Sequence, residues 1–278
     1  MTVKIVTDTL SDITGDLTDE IGVSVVPLYV RFGEHMYKDR IDIASEEFYR
    51  RLVTESVLPS TTQPTPNDFF QVYQQLAGST DEILVISVSS KLSGTFQSAT
   101  QAISMMESKA TKIQVVDSGC VAMTLGLPVI ATAAKAAEGM GLDELAEYAR
   151  GACKRAHLVA YFDTLKYLAK GGRIGKAQGL LGSMLSVKPI LTMREGEMAP
   201  LTRVRSKNAG MDYLFNAVAK KPELLAVEHC TNPEEADLLA ERLKKVYPDV
   251  PIYRSIISPV IGTYSGPGAF AVSILEAE

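Results

Sequence analysis

In the first half of this sequence, short runs of β-branched and aliphatic residues alternate with longer segments that have the apolar periodicity of helices. This alternation is typical of parallel βα units, in which each strand is followed by a helix that covers the sheet. The strand-like runs are residues 3–7, 23–30, 83–88 and 112–116. The helical segments are residues 12–21, 45–53, 66–76, 94–106, 122–137 and 142–150. We therefore predict a parallel sheet with helices on both faces.

The order of elements changes after residue 155. Strand-like runs at 158–162, 189–193, 200–204, 224–229, 252–255, 260–263 and 270–275 are mixed with helical segments at 209–219 and 234–246. Residues 194–197 have the composition of a hairpin turn, which indicates antiparallel pairing. We predict an α/β fold of two packed α/β domains, 1–155 with the parallel sheet and 156–278 with a mixed sheet and helices. Because no linker separates them, a cleft should form between them.

Composition limits the class of protein. Of 278 residues, 46% are hydrophobic, which supports a folded core, and the net charge of −5 disfavours a general nucleic-acid binder. No apolar run approaches the roughly 20 residues that span a bilayer, and the N-terminus lacks the features of a signal peptide, so we expect a cytoplasmic protein. Three separated cysteines and three isolated histidines fit neither a disulfide framework nor a metal site.

Hydroxyl side chains collect after the predicted strands. TDTLSD follows the first strand, SSKLSGT follows the third, and PSTTQPTP precedes the third helix as a loop carrying Thr61 and Thr62. Ligands of open α/β sheets bind beyond the carboxyl ends of the strands. These segments are therefore the candidate binding loops.

Ser93 precedes the predicted helix 94–106, which begins with Gly94 and Thr95. Free backbone N–H groups and the positive end of a helix dipole suit a carboxylate or a phosphate at such a place. A serine before a helix is also an ordinary N-cap, and the residues alone leave both interpretations open.

Two further segments have alternative interpretations. The glycine-rich stretch 170–176 lacks the spacing of a Walker phosphate loop, but it places Arg173 on a basic turn that could meet an anion or serve only as a solvated connector. The small and aliphatic residues of 177–191 fit either core packing or a groove for an apolar ligand.

Seven short motifs together resemble the DegV family of bacterial fatty-acid-binding proteins, which includes the acyl-carrying subunits of fatty acid kinase. Their order along this chain is that of the family. They are IVTDT at 5–9, TTQP at 61–64, LSGT at 92–95, VDS at 116–118, LKYLAKGGRI at 165–174, KPIL at 188–191 and GPG at 266–268.

The resemblance implies a long-chain fatty acid, such as palmitate, stearate or oleate, bound between the two domains without any cofactor. The carboxylate partners carried over from the family are Thr61 and Ser93, with Thr62 secondary and the Gly94 or Thr95 N–H groups assisting. The acyl tail would be buried in the C-terminal domain. The tunnel candidates in that domain are Leu180, Leu181, Met184, Leu185 and Ile190.

Kinase-linked members of the family resemble this chain at Arg173 and at the stretch containing Arg203 and Arg205. These arginines are expected to contact the head group or a fatty acid kinase partner. Many such members have a histidine before the GPG loop, where this chain has Tyr264. A tyrosine donates a hydrogen bond but does not titrate near neutral pH, so a phosphoryl-transfer role at this position is in doubt.

Two hypotheses from different classes remain at the level of sequence. The first is a carrier without catalytic residues that binds a fatty acid and presents it to a kinase. The alternative is an enzyme in the same cleft, either a phosphotransferase or a serine hydrolase with Ser93 as its nucleophile. The sequence has no G-x-S-x-G motif to favour the hydrolase.

Overall fold

The computed structural model describes residues 2–107, 110–183, 187–218 and 221–278, the side chains of 181–183 excepted. The strands are β1 Lys4–Asp8, β2 Val23–Val26, β3 Tyr29–Phe32, β4 His35–Lys38, β5 Ser60–Thr62, β6 Glu82–Ser87, β7 Lys112–Asp117, β8 Ala156–Tyr161, β9 Lys188–Arg194, β10 Glu197–Val204, β11 Pro222–His229, β12 Ile252–Ile256 and β13 Phe270–Glu276. The helices are α1 Gly15–Glu20, α2 Ser45–Thr54, α3 Pro66–Ala77, α4 Thr95–Ile103, α5 Met123–Ala137, α6 Leu142–Arg155, α7 Lys166–Lys170, α8 Lys207–Asn216, α9 Pro233–Val246 and α10 Pro259–Ser265. Two 3-10 segments, Thr9–Ser11 and Gly175–Ser183, complete the elements.

The N-terminal sheet is parallel, with strand order β2-β1-β6-β7. Successive side chains of β6 point to opposite faces, and both faces are buried. Val85 packs in the cluster formed with α3 and α4, whereas Leu84 and Ile86 pack in the cluster that includes α5 and α6. The predicted parallel sheet with helices on both faces is confirmed.

The C-terminal sheet is mixed, with strand order β10-β9-β8-β13-β11-β12. β11 and β12 are parallel, and the other neighbours are antiparallel. The β9–β10 turn has positive φ at Glu195 (53°) and Gly196 (80°), which suits the twist of a tight hairpin. The predicted mixed sheet and its hairpin are confirmed.

Helix α5 lies between the two sheets. It packs on β1 and β6 of the first sheet and on β8, β11 and β13 of the second. Its sequence is apolar on every side and lacks an exposed polar face, as expected of a helix surrounded by protein. Because α3 and α4 cover the first sheet from outside and α8 and α9 cover the second, the molecule is built in five layers.

Three local predictions from sequence are wrong. Residues 260–263, predicted as a strand, belong to α10, which begins at Pro259 because proline fits the first turn of a helix. The run 23–30 divides into β2 and β3 around Pro27 and Leu28. The supposed loop at Thr61 and Thr62 is β5, which joins β3 and β4 in a small antiparallel sheet.

Candidate ligand-binding site

A cavity of about 390 Å³ lies between the N-terminal and C-terminal parts of the chain. Small-molecule sites in proteins usually measure about 300–1,000 Å³. Its inner wall is aliphatic and comes from both parts, since Leu10, Leu28, Leu158, Met198, Ile257 and Val260 all line it. The cavity therefore offers an apolar interior that neither part forms by itself.

The mouth of the cavity is polar. Thr62, Gln63 and Arg173 are the lining residues with exposed side chains at this end, and half-buried Thr61 and Ser93 lie beside them in the wall. The structure thus brings together the predicted residues from the TTQP motif, the LSGT motif and the glycine-rich turn.

Thr61 is held by strand pairing and by a side-chain contact. It lies opposite Val30 in the small sheet, and its hydroxyl shares a short hydrogen bond with the Tyr264 hydroxyl of α10. This contact joins the N-terminal and C-terminal parts of the chain. Tyr264 therefore lies at the mouth.

Ser93 lies just before α4, whose N-cap is Gly94. The Ser93 hydroxyl lies 2.8 Å from the Thr95 hydroxyl and accepts the Thr95 N–H at 3.3 Å. Ser93 therefore hydrogen-bonds within this turn and lines the cavity, whereas the N-cap of α4 is Gly94 and not Ser93 as an ordinary cap would require. Thr95 is buried, and neither Gly94 nor Thr95 is among the residues that line the cavity.

Gln63 is a residue of the site that the sequence reasoning missed. Its amide donates to the Gly94 carbonyl at 3.3 Å and to the Ser98 hydroxyl at 3.1 Å, which fixes β5 to the start of α4. A Cβ atom on Gly94 would lie 2.1 Å from the Gln63 Oε1, so a larger residue there would displace the glutamine side chain. The feature of the sequence that could have indicated Gln63 as a site residue is its place in the TTQP motif.

Arg173 connects three segments around the mouth. Its Nε donates to the Leu92 carbonyl at 3.1 Å and its Nη1 to the Gly171 carbonyl at 2.9 Å. The guanidinium carbon lies 5.1 Å from the centre of the Tyr264 ring, within the range of a cation–π contact. A positive charge is thereby held at the polar end of the cavity.

Buried charges fix the segment that leads into α10. Arg40 forms an ion pair with Asp12 at 3.1 Å and also donates to the Ile256 carbonyl. Asp12 in turn accepts the Ser258 N–H at 3.1 Å. Because Ile257 and Val260 line the cavity, these contacts between N-terminal and C-terminal residues position its wall.

Asp39 is buried beside this ion pair. Burial raises the pKa of Asp39 to about 7, and the nearby Arg40 charge only partly offsets that effect. Neither of its carboxylate oxygens has a hydrogen-bond partner of normal geometry. The carboxyl group of Asp39 is therefore costly to ionise in the folded protein.

Ser265 also lines the cavity, and its hydroxyl lies 3.5 Å from the Cys230 sulfur. Burial raises the pKa of Cys230 to about 11, so the thiol is neutral at physiological pH. A neutral, buried thiol is a poor nucleophile. The contact therefore supplies packing and a weak hydrogen bond.

Several predicted residues lie away from the cavity lining. Arg203 and Arg205 are exposed at the edge strand β10 and after it, and Leu180 is buried in the main core. Ile190 lies opposite Tyr161 and packs with Leu214 of α8, on the other face of the sheet. The Leu181 side chain and all of Met184 and Leu185 lie outside the described residues.

The strand pleat explains the position of Ile190. Side chains alternate along β8 and β9, so Ala160 and its partner Leu191 face α5, whereas Tyr161 and Ile190 face α8. The continuous apolar sequence of this segment does not reveal which residues face the cavity. The alanines on β8 and β13 indicate the cavity better, because small side chains on one face of a sheet leave room for a ligand.

The described residues show no arrangement for hydrolysis or metal binding at this cavity. The hydroxyl contact of Ser93 is to Thr95, and no histidine is among the lining residues that the structure describes. A search of the described parts of the chain finds no group of three or more His, Cys, Asp or Glu placed to hold a metal ion. None of the described helices has the length and apolarity needed to cross a bilayer.

The sequence profile of the DegV family, described as uncharacterised proteins, matches residues 2–277. The chain belongs to the DegV family. A DegV domain-containing protein of Caldanaerobacter subterraneus is 35% identical to this DegV protein over 99% of both chains. The family resemblance inferred from the seven motifs is confirmed.

Solved DegV structures have the same fold. A fatty-acid-binding DegV family protein from Thermus thermophilus superposes with a TM-score of 0.89 at 28% identity, covering 100% of both chains. DegV of Bacillus subtilis, a fatty-acid-binding protein, superposes with a TM-score of 0.90 at 29% identity, covering 99% of this chain and 100% of its own.

Proposed function

We propose that this DegV protein is a non-enzymatic carrier that binds one long-chain fatty acid in the cavity between its two parts. The observation that carries the proposal is an apolar cavity whose polar lining residues, Thr61, Ser93, Arg173 and Tyr264, converge at one end. A fatty acid has the same division into one polar end and a long apolar tail. The fatty-acid-binding DegV proteins of Thermus thermophilus and Bacillus subtilis support the assignment.

The carboxylate is proposed to bind at the mouth. Thr61 and Ser93 are its main donors, Thr62 is secondary, and the N–H groups of Gly94 and Thr95 assist from the start of α4. Hydrogen bonds to a carboxylate are among the stronger ones, and a helix N-terminus favours negative charge. The Arg173 guanidinium adds a positive charge at the same end.

The acyl tail is proposed to run inward between the two sheets. Each buried methylene contributes about 0.8 kcal/mol, so the roughly fourteen methylenes of palmitate give on the order of 11 kcal/mol before ordering costs. We divide the chain at residue 155, so that 1–155 supplies most head-group donors and 156–278 supplies one wall of the tail site.

Presentation of the bound acid to a fatty acid kinase is the second part of the proposal. Arg173 at the mouth and exposed Arg203 and Arg205 offer positive charge to an acidic partner or to an acyl phosphate. Tyr264 occupies the place of the histidine of kinase-linked relatives, so it serves as a hydrogen-bond donor only. ATP-dependent formation of acyl phosphate with an added fatty acid kinase measures this part.

The head-group assignment predicts the behaviour of the double variant Thr61→Ala with Ser93→Ala. Loss of two hydroxyl donors to a carboxylate should weaken oleate binding at least tenfold in a titration, since a hydrogen bond to a charged group contributes about 1.5–3 kcal/mol. The matched control is Thr54→Ala with Ser104→Ala. Those two exposed hydroxyls bond only to carbonyls of their own helical segments, so oleate binding should be unchanged.

Equal oleate affinity in the double variant and the wild type would show that the head group binds elsewhere. A fluorophosphonate probe tests the hydrolase alternative on the same proteins. A serine without a neighbouring base should remain unlabelled. Covalent labelling at Ser93, lost in the double variant, would contradict the carrier assignment.

A further inference from the structure

Ala122, the residue before α5, has a backbone conformation that alanine rarely adopts. Its φ is 60° and its ψ is −154°. Asp12 also has positive φ, but its ψ of 16° places it in the left-handed helical region, which L residues tolerate. The region of Ala122 is nearly exclusive to glycine, and residues forced into it are found mainly at functional sites.

Hydrogen bonds on both sides hold Ala122 in this conformation. Its N–H donates to the Leu10 carbonyl at 2.7 Å, and its carbonyl accepts the Leu125 N–H at 2.9 Å in the first turn of α5. The next N–H, that of Met123, donates at 2.8 Å to the buried Glu228 carboxylate. The backbone is therefore fixed from the N-terminal part, from α5 and from β11.

Glycine would adopt this conformation without strain. The alanine therefore lowers the stability of the folded protein, and all that it adds is one methyl group. Ala122 is 5% exposed and lines the cavity. Helix α5 packs across β8 and β13, and those strands carry Ala160 and Ala271, which lie directly opposite each other and also line the cavity. Three alanines, one before α5 and two on neighbouring strands of the second sheet, thus border the cavity.

We propose that Ala122 is a specificity-determining residue, whose methyl group at the cavity wall sets the length of acyl chain that this protein accepts. The inference rests on the proposed fatty-acid function and deepens it. Where small side chains border a cavity, one methyl group changes the fit of the ligand directly. A difference of one methylene in an apolar pocket commonly changes affinity about 10- to 200-fold.

The test compares the Ala122→Gly variant with the wild type, using delipidated protein and saturated fatty acids from twelve to twenty carbons. The variant should favour acids one or two carbons longer than the wild type prefers, by about tenfold in relative affinity. Relief of strain should also raise the midpoint of thermal unfolding without ligand by about 2–4 °C. Titration calorimetry and scanning calorimetry measure the two effects.

Ala136→Gly is the matched control, because Ala136 is buried in the same helix and lies in the core cluster. This change should lower the midpoint of thermal unfolding, since glycine inside a helix is destabilising, and should leave the chain-length profile unchanged. If Ala122→Gly had the same chain-length profile of affinity as the wild type, this inference would be overturned and the proposed function would be unaffected. A wild type that binds no fatty acid would overturn the proposed function and this inference with it.

Discussion

The Tyr264 hydroxyl joins the C-terminal part of the chain to Thr61 at the mouth of the cavity. When the phenol donates this hydrogen bond, the Thr61 proton is free to point at a ligand carboxylate. The Arg173 guanidinium lies near the ring of the same tyrosine, so the cation and the two hydroxyls form one contact group. Tyr264 is therefore placed to position Thr61 at the mouth.

Replacing Tyr264 by phenylalanine removes this hydrogen bond and keeps the ring beside Arg173. Fatty acid affinity should fall about two- to tenfold, the usual worth of one hydrogen bond. Tyr247→Phe is the control, because the Tyr247 hydroxyl donates to the Val218 carbonyl at 2.7 Å, outside the cavity lining. Its affinity should match the wild type in the same titration, and an unaffected Tyr264→Phe variant would refute the positioning role.

Helix α10 forms one wall of the cavity, and buried charges from the N-terminal part hold the segment before it. The groups that face Asp39 are the Arg40 cation, the Asp12 carboxylate, the Thr9 hydroxyl and the Val260 N–H. Burial is the largest influence, and it raises the pKa of Asp39 from 3.8 to about 7. The folded protein therefore binds this proton more tightly than the unfolded chain does.

This raised pKa predicts how stability depends on pH. The contribution of Asp39 is complete below pH about 4 and is lost as the pH rises through about 7. Asp39→Asn cannot ionise, so its free energy of unfolding should fall less than that of the wild type between pH 5 and 8, by on the order of 2 kcal/mol. Urea unfolding at several pH values measures the difference.

The matched control for this pH series is Asp249→Asn, which removes an exposed carboxylate. Its unfolding free energy should follow the wild-type dependence on pH. Glu228, whose pKa burial raises to about 8, contributes in the same direction in all three proteins and cancels in the comparison. If Asp39→Asn and the wild type had the same pH dependence, the assignment of Asp39 would be wrong.

The sequence predicted the elements better than it predicted the cavity. The parallel strands were recognisable because strands buried on both faces, such as β6, are apolar at almost every position. Helix α10 was missed because Val260 and Ile261 have β propensity, which Pro259 and tertiary packing override. Which of Ile190 and Leu191 faces the cavity side of the sheet depends on the register of the strand. Register is set by strand pairing, which sequence periodicity does not specify.

The two residues proposed to hold the head group stand out in the sequence for a different reason. Both belong to short polar motifs, with Thr61 in the short strand β5 and Ser93 just before α4. The tail site is formed by distant aliphatic residues, and Leu10, Leu158 and Ile257 differ in no visible way from ordinary core residues. Only the packing of the two parts shows which of them border a cavity.

At the scale of the whole molecule, the cavity belongs to the contact between the N-terminal and C-terminal parts. Helix α5 lies between the two sheets, and residues of both parts line the apolar interior. Under the proposed function, a fatty acid bound there would complete the packing of this contact. Because such a ligand binds only the folded state, oleate should raise the midpoint of thermal unfolding, and the rise should grow with the logarithm of the oleate concentration divided by Kd.

The most direct measurement is organic extraction of the purified protein followed by mass spectrometry. The proposed function predicts about one long-chain fatty acid per chain, or uptake of one equivalent of added palmitate or oleate by delipidated protein. An extract without fatty acid, together with no uptake of either added acid, would contradict it.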